Sequence, residues 1–316
     1  MSPVLVTGGS GYVATHLIAR LLRDGQEVRT TVRSTARAAA VRAAVRRGGA
    51  DDSRLEIVEA DLMEDDGWPA AVDGCAEVHH TASPIPVAQP KDPDELIVPA
   101  RDGTVRVLRA ACAAGARRVV LTSSFAAVGY PPKSGAVYTE DDWTDPDTPG
   151  LEPYPRSKAI AERAAWDLMR GAGTELVVTN PTGIFGPVLT TDLRSSAHLI
   201  KMMLDGTTQV LPRARFRVVD VRDVADLHVR AMAAPEAAGQ RFLAVSNDPQ
   251  TSFLEIAALL HRRLGVPTPT EEAPGPERSG SVIRNDRARG VLGWKPRPAE
   301  TTILETAESL RELGLV

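Results

Sequence analysis

Strand-like and helix-like segments alternate from Val4 to Thr179, and that alternation restricts the fold of this chain more than any figure of composition. Short β-branched runs at Val4–Val6, Val28–Val32, Leu55–Glu59, Ala76–His80, Arg118–Thr122 and Leu176–Thr179 are separated by helical patterns at Tyr12–Arg23, Ala36–Arg47, Asp94–Ala114 and Pro155–Arg170. Strand–helix–strand repeats predict parallel βαβ units, hence an α/β fold whose parallel sheet is covered by helices on both faces. Pro99 lies inside the Asp94–Ala114 pattern, where it marks either the true start of the helix or a kink. From Asn180 the rhythm changes: proline and glycine become frequent and helical patterns dominate. A chain of 316 residues suits one core domain and a smaller one. The expected division is 1–179 plus 214–246 for the sheet domain, with 180–213 plus 247–316 forming a smaller, mostly helical C-terminal domain. Asp223 is the expected cap of a helix carrying His228. Proline-rich stretches at Pro84–Pro93, Pro146–Pro155 and Pro267–Pro276 read as surface loops or hinges.

Thr7-Gly8-Gly9-Ser10-Gly11-Tyr12-Val13-Ala14 follows the first strand and opens the first helix. Glycines allow a tight turn and let the backbone approach a pyrophosphate, while the helix N-terminus offers free N–H groups to that anion. In this setting the turn predicts a Rossmann-type doubly wound sheet that binds a dinucleotide, with Thr7, Gly8, Gly11, Tyr12 and Val13 at the cofactor. An acidic residue at the end of the second strand selects NAD in such folds. Here that strand ends in Val32 and is followed by Arg33, and a guanidinium suits the 2′-phosphate of NADP. Arg37, one helical turn on, is the candidate for a second contact. Asp61 and Leu62, after the third strand, either meet the adenine or, in the case of Asp61, cap a turn.

Net charge is −4, which gives no reason to expect a nucleic-acid partner. No apolar run reaches the roughly 18–20 residues of a membrane span. The chain opens on a strand rather than on a basic, cleavable leader. Cys75 and Cys112 are too few for a disulfide framework, so free thiols and a cytoplasmic location are expected.

Tyr154-Pro155-Arg156-Ser157-Lys158 sets a phenol and an ammonium at i and i+4, on one face of a helix. A tyrosine is a weak acid at neutral pH, and a nearby cation favours its phenolate. Such a tyrosine exchanges a proton with a carbonyl or alcohol oxygen. Val119-Val120-Leu121-Thr122-Ser123-Ser124 is a strand ending in hydroxyl residues, at the strand end where α/β sheets bind ligands. Ser124 there either bonds a substrate oxygen or satisfies its own turn.

These elements, together with His80-Thr81-Ala82-Ser83-Pro84, Asn180-Pro181-Thr182 through Gly186-Pro187 and Leu292-Gly293-Trp294-Lys295, span the whole chain in order. The sequence resembles an extended short-chain dehydrogenase/reductase, and within that superfamily the dihydroflavonol reductase, cinnamoyl-CoA reductase and yeast-type methylglyoxal or ketone reductase group. The resemblance implies an NADPH-dependent reduction of an aldehyde or ketone to an alcohol, with NADPH preferred over NADH. It makes Tyr154 the general acid, Lys158 the residue that holds the nicotinamide ribose and lowers the phenol's pKa, and Ser124 the group that polarises the carbonyl. It adds Thr81, Ala82, Ser83, Thr122, Pro181, Thr182 and Gly183 to the cofactor contacts. Phe125, Ile184 and Phe185 are pocket candidates by position. The implied partner is a small carbonyl compound, and the chain is expected as a monomer or homodimer.

Two departures stand out. Many extended members carry an asparagine before the position of Gly103-Thr104, where this chain reads Val98-Pro99-Ala100-Arg101-Asp102. Plant dihydroflavonol reductases read a polyphenol with an asparagine where this chain has Gly129. No metal is expected, because His79 and His80, adjacent on a strand, point to opposite faces. Trp143 either walls the pocket or packs. Two other readings share part of the pattern. An NAD-dependent nucleotide-sugar epimerase or dehydratase would use the same tyrosine, lysine and serine and would retain NAD. A non-enzymatic NADP-binding redox sensor would have no need of Tyr154 and Lys158.

Overall fold

A computed structural model describes residues 2–84, 90, 92–193, 196–275 and 280–316. Most of the expected Pro84–Pro93 loop, Pro276 at the end of the Pro267–Pro276 stretch, and residues 194 and 195 lie outside the described residues.

The central sheet contains β1 (Val4–Val6), β2 (Val28–Val32), β3 (Leu55–Glu59), β4 (Glu77–His80), β5 (Arg118–Thr122) and β6 (Glu175–Pro181). It also takes in a late strand, Arg241–Ala244. Of the short strands between, two that pair with each other are numbered here, β7 (Gly183–Phe185) and β8 (Val218–Asp220), and the late strand is β9. The seven strands run in the order β9-β6-β5-β4-β1-β2-β3, all parallel. The chain leaves β1 in one direction to β2 and β3, then crosses back to β4 and builds outward. The strand order therefore switches at β1/β4, and ligands bind in the crevice that such a switch opens.

Burial on both faces explains the β-branched runs. Leu5, Val78, Val119, Leu121 and Val178 pack on one side under α4 (Asp94–Ala113) and α5 (Pro153–Met169). Val4, Val6, Val28 and Val32 pack on the other against α1 (Tyr12–Arg23) and α2 (Ala38–Arg47). Val120, Val177 and Phe242 meet α7 (Val221–Ala233) there, together with Trp294. Helices Ser196–Leu204, Phe253–Leu264 and Ala299–Glu312 share a separate cluster around Ile200, Leu260 and Leu310.

One local expectation is narrowed and one corrected. The α4 helix starts at Asp94 and runs through Pro99, which therefore does not mark its start. Asp220, not Asp223, caps α7, accepting from the Arg222 N–H. Asp223 is buried within the helix and receives the Trp294 indole N–H on its carbonyl and the Arg297 N–H on its carboxylate. No helix among the described residues is long and apolar enough to cross a membrane.

Candidate active site

A cleft of about 1000 Å³ lies over the β1/β4 switch, at the upper end of the range for small-molecule sites. At its floor the chain turns sharply after β1. Gly8 has φ +73°, and a Cβ there would stand 2.9 Å from the Cβ of Ala82. A side chain at that position would strike the β4 turn, so the glycine permits the tight turn into α1 that a dinucleotide site requires. Thr7 does not line the cleft. It is fully buried, and its hydroxyl accepts from the N–H groups of Thr81 and Ala82 at 3.1 Å each. Its one hydrogen is therefore assigned to His80 Nδ1, 2.8 Å away. Thr7 thus fastens the β1 turn to the β4 turn.

Gly8, Gly11, Tyr12, Val13, Arg33, Arg37, Asp61 and Leu62 line one half of the cleft. Thr81, Ala82, Ser83, Thr122, Ser124, Phe125, Tyr154, Lys158, Pro181, Thr182, Gly183 and Ile184 line the other. The two arginines differ. Arg37 is ion-paired to Asp192 at 3.1 Å, whereas Arg33 is exposed and has no hydrogen-bond or ion-pair partner among the described residues. Both line the cleft; a phosphate at Arg37 would have to displace or share the exposed Asp192 pair. Asp61 caps its own turn, accepting from the Met63 N–H, while still lining the cleft.

Phe185 is corrected out of the pocket. Neighbours on a strand face opposite ways, so Ile184 reaches the cleft while Phe185 is buried and stacks on Phe216 at 5.8 Å. Trp143 packs too: the Arg241 guanidinium lies 3.8 Å from its ring centre.

Pro153 and Pro155 preset the first turn of α5 and hold Tyr154 at its second position. The Tyr154 and Ser124 side chains line the same end of the cleft, close enough for the serine to act on the phenol. Ser124 also accepts from the Ala126 N–H at 3.1 Å, so the serine caps its turn and faces the tyrosine at once. Lys158 Nζ donates to Ser83 Oγ at 2.8 Å and stands 5.6 Å from the centre of the Tyr154 ring. Burial lowers the Lys158 pKa to about 8, against a pull from Glu162. Burial raises the Tyr154 phenol above its ordinary value, opposed by the Ser124 side chain. The Lys158 ammonium faces the ring and Ser83, and desolvation dominates at the phenol.

Several supporting residues were not read from the sequence. Glu162 is fully buried and binds Arg241 Nε, Ser123 Oγ and Asn180 Nδ2 at 2.6, 2.6 and 2.7 Å. Asn180 Nδ2 also reaches the Ser124 carbonyl at 3.2 Å. The network braces the Ser123–Ser124 turn from below. On the opposite face His228 Nε2 meets the Thr122 and Thr179 hydroxyls at 2.8 and 3.0 Å. Thr179 donates to the Leu121 carbonyl, so His228 is assigned as the donor, leaving the Thr122 hydrogen for the cleft. His79 meets His228 while His80 meets Thr7, on opposite faces of β4. Among the described residues no group of three or more His, Cys, Asp or Glu is placed to hold a metal. At Gly129 a Cβ would stand 2.7 Å from the Tyr138 ring, so an asparagine has no room there.

Fold and cleft together define a Rossmann-type dinucleotide protein with a serine, a tyrosine and a lysine gathered at one end. Residues 4–244 match the model of the NAD dependent epimerase/dehydratase family. The chain belongs to that family, the extended short-chain dehydrogenases/reductases. It is 34% identical over 315 residues to cinnamoyl-CoA reductase 1 of Arabidopsis thaliana, covering 98% of this chain and 90% of that protein. It is 36% identical over 248 residues to tetraketide alpha-pyrone reductase 2 of the same plant, 76% of this chain and 77% of the relative. The crystal structure of yeast methylglyoxal/isovaleraldehyde reductase Gre2 complexed with NADPH superposes with a TM-score of 0.84 at 25% identity, covering 99% of this chain and all of that one (100%).

Proposed function

We propose that this protein reduces a small aldehyde or ketone to an alcohol with NADPH. The observation that carries the reading is the pairing of opposite ends of one cleft. The Ser124–Tyr154 hydroxyl pair and Lys158 occupy one end, and the unpaired Arg33 occupies the other. The NADPH-bound yeast reductase supports it. In this reading Gly8, Gly11, Tyr12 and Val13 hold the pyrophosphate and Arg33 the 2′-phosphate. Asp61 and Leu62 meet the adenine. Thr81, Ala82, Ser83, Thr122, Pro181, Thr182 and Gly183 line the nicotinamide half. Bound NADPH supplies hydride to the carbonyl carbon. Ser124 orients the carbonyl oxygen, and Tyr154 gives that oxygen its proton. Lys158 holds the ribose and stabilises the phenolate that remains. Segments 180–213 and 247–316 supply the substrate side, the remainder the cofactor domain. Two free cysteines support a cytoplasmic setting. The crowding of Gly129 against Tyr138 argues against a polyphenol substrate.

The family's other chemistry, epimerisation or dehydration on tightly held NAD, lacks the acidic residue it needs after β2. Nicotinamide absorbance followed with NADPH and NADH against aldehydes, ketones, diones and acyl-CoA thioesters tests the proposal. Turnover with NADPH supports it; silence, with NAD released on denaturing the purified protein, supports the alternative.

Two outcomes are specific to residues named above. Arg33→Ser removes a charge-assisted contact worth about 1.5–3 kcal/mol. It should raise the KM for NADPH roughly 10- to 150-fold and leave that for NADH nearly unchanged; equal effects on both cofactors would remove Arg33 from phosphate recognition. The second outcome concerns pH. Reduction needs Tyr154 protonated and Lys158 charged. The phenol's pKa is raised and that of Lys158 lowered to about 8, so Lys158 loses its proton first as pH rises. The kcat/KM for the carbonyl should fall above pH about 8. A profile flat well beyond that point would contradict the assignment.

A further inference from the structure

Arginines line the cleft at four positions, and their partners separate them. Arg37 is paired to Asp192 and Arg215 to Glu255. Arg33 is unpaired, as suits a phosphate ligand. Arg217 is the other unpaired one. It has no carboxylate within 4.0 Å among the described residues, and its Nη1 donates to the backbone carbonyl of Asp248. Among the described residues its buried Nε–H has no acceptor and Nη2 has no hydrogen-bond partner. The Nε/Nη2 edge, which grips a carboxylate side-on with two parallel hydrogen bonds, is therefore unsatisfied. The Asp220 carboxylate, the acid nearest in sequence, is held by Arg222, and that of Asp248, whose charge partly offsets the burial of Arg217, accepts the Ala299 N–H at 2.7 Å.

Its position matters as much as its lack of a partner. The Arg217 carbonyl accepts the Gly183 N–H at 3.0 Å, just before β8 joins β7. A Cβ on Gly183 would stand 3.1 Å from that oxygen, so no side chain separates the two segments. Arg217 is thus fixed beside Pro181-Thr182-Gly183, the segment assigned above to the nicotinamide. The acids that line the cleft are elsewhere: Asp61 after β3, Glu95 on α4, and Asp192 against Arg37. Gln250 and Ser281, both uncharged, line the cleft with it. A guanidinium keeps its charge at any ordinary pH, so its partial burial has a cost that an arriving anion offsets. That burial presses on the charged form of Arg217.

We propose that Arg217 is a substrate-recognition residue, and that the carbonyl compound this protein reduces carries a carboxylate held by its Nε/Nη2 edge. The inference rests on the reductase reading and names the substrate class for it. Its test compares 3- and 4-formylbenzoate with their methyl esters as substrates, and titrates terephthalate into the protein with NADPH by calorimetry. The acids should exceed the esters in kcat/KM by about tenfold or more, mainly through KM. Arg217→Leu should bring that ratio near unity and weaken terephthalate binding by a similar factor, and Arg217→Lys should restore part of both. Ester reduction with no preference for the acids, or a ratio untouched by Arg217→Leu, overturns the carboxylate site and leaves the reductase reading standing. Absence of turnover with Arg217-dependent terephthalate binding does the reverse.

Discussion

Replacing Tyr154 by phenylalanine is expected to lower kcat for carbonyl reduction by about 10²- to 10⁴-fold, the usual contribution of a positioned general acid. That is about 2.7–5.4 kcal/mol of transition-state stabilisation. The substitution removes one oxygen and nothing else. The ring keeps its place in the first turn of α5, which Pro153 and Pro155 preset, and Lys158 keeps its hydrogen bond to Ser83. The loss should therefore fall on kcat, with NADPH still bound, because the missing proton is needed only as the carbonyl oxygen becomes an alkoxide. Fluorescence titration with NADPH beside steady-state kinetics separates the two quantities. A variant that kept native kcat would mean that another group delivers the proton, and would remove Tyr154 from the centre of the mechanism.

Arg241→Met is expected to destabilise the protein by about 3–5 kcal/mol, the cost of leaving one partner of a buried ion pair without the other. The side chains of Arg241 and Glu162 are 7% and 0% exposed and meet at 2.6 Å. Arg241 also donates to the carbonyls of Glu140 and Asp142 and lies over Trp143, so it joins β9, α5 and the loop between them. Without it, the Glu162 carboxylate would remain buried with Ser123 and Asn180 as its main donors. Urea unfolding reads the stability. Adding Glu162→Leu should return part of the loss by removing the stranded charge. Catalysis should suffer with stability, because Glu162 and Asn180 brace the turn that carries Ser124. A single variant within about 1 kcal/mol of the native protein, the range of a surface pair, would contradict this account.

Much of this was legible in the sequence where the physics is local. The strands Val4–Val6, Val28–Val32, Leu55–Glu59 and Arg118–Thr122 are found where their β-branched runs predict, because both sheet faces are buried there. Ser124, Tyr154 and Lys158 were readable because a strand end and a helical i, i+4 spacing define where they point. The sequence was less informative where a partner far along the chain decides the surroundings. The pairing of Arg37 with Asp192 and the bonding of Thr7 to the β4 turn had no local signal. The choice between Ile184 and Phe185 depended on which face of a three-residue strand the helical cluster covers. Asp220 and Asp223 are equally plausible caps by composition, and only the start of α7 distinguishes them. Glu162 and Arg241 gave no signal at all and Asn180 figured only in the segment that carries the resemblance, because the three sit on separate elements that meet only in the folded chain.

The central claim is direct hydride delivery from NADPH to a carbonyl carbon, and isotope transfer tests it most directly. NADPH deuterated at both C4 positions would be incubated with the protein and a reducible aldehyde, and the alcohol analysed by mass spectrometry. The account predicts one deuterium on the carbinol carbon of the product, and about 10²- to 10⁴-fold less of the same labelled alcohol from Tyr154→Phe over the same interval. Product formed without deuterium, or no product from any carbonyl compound while NAD is found tightly held by the protein, would contradict it.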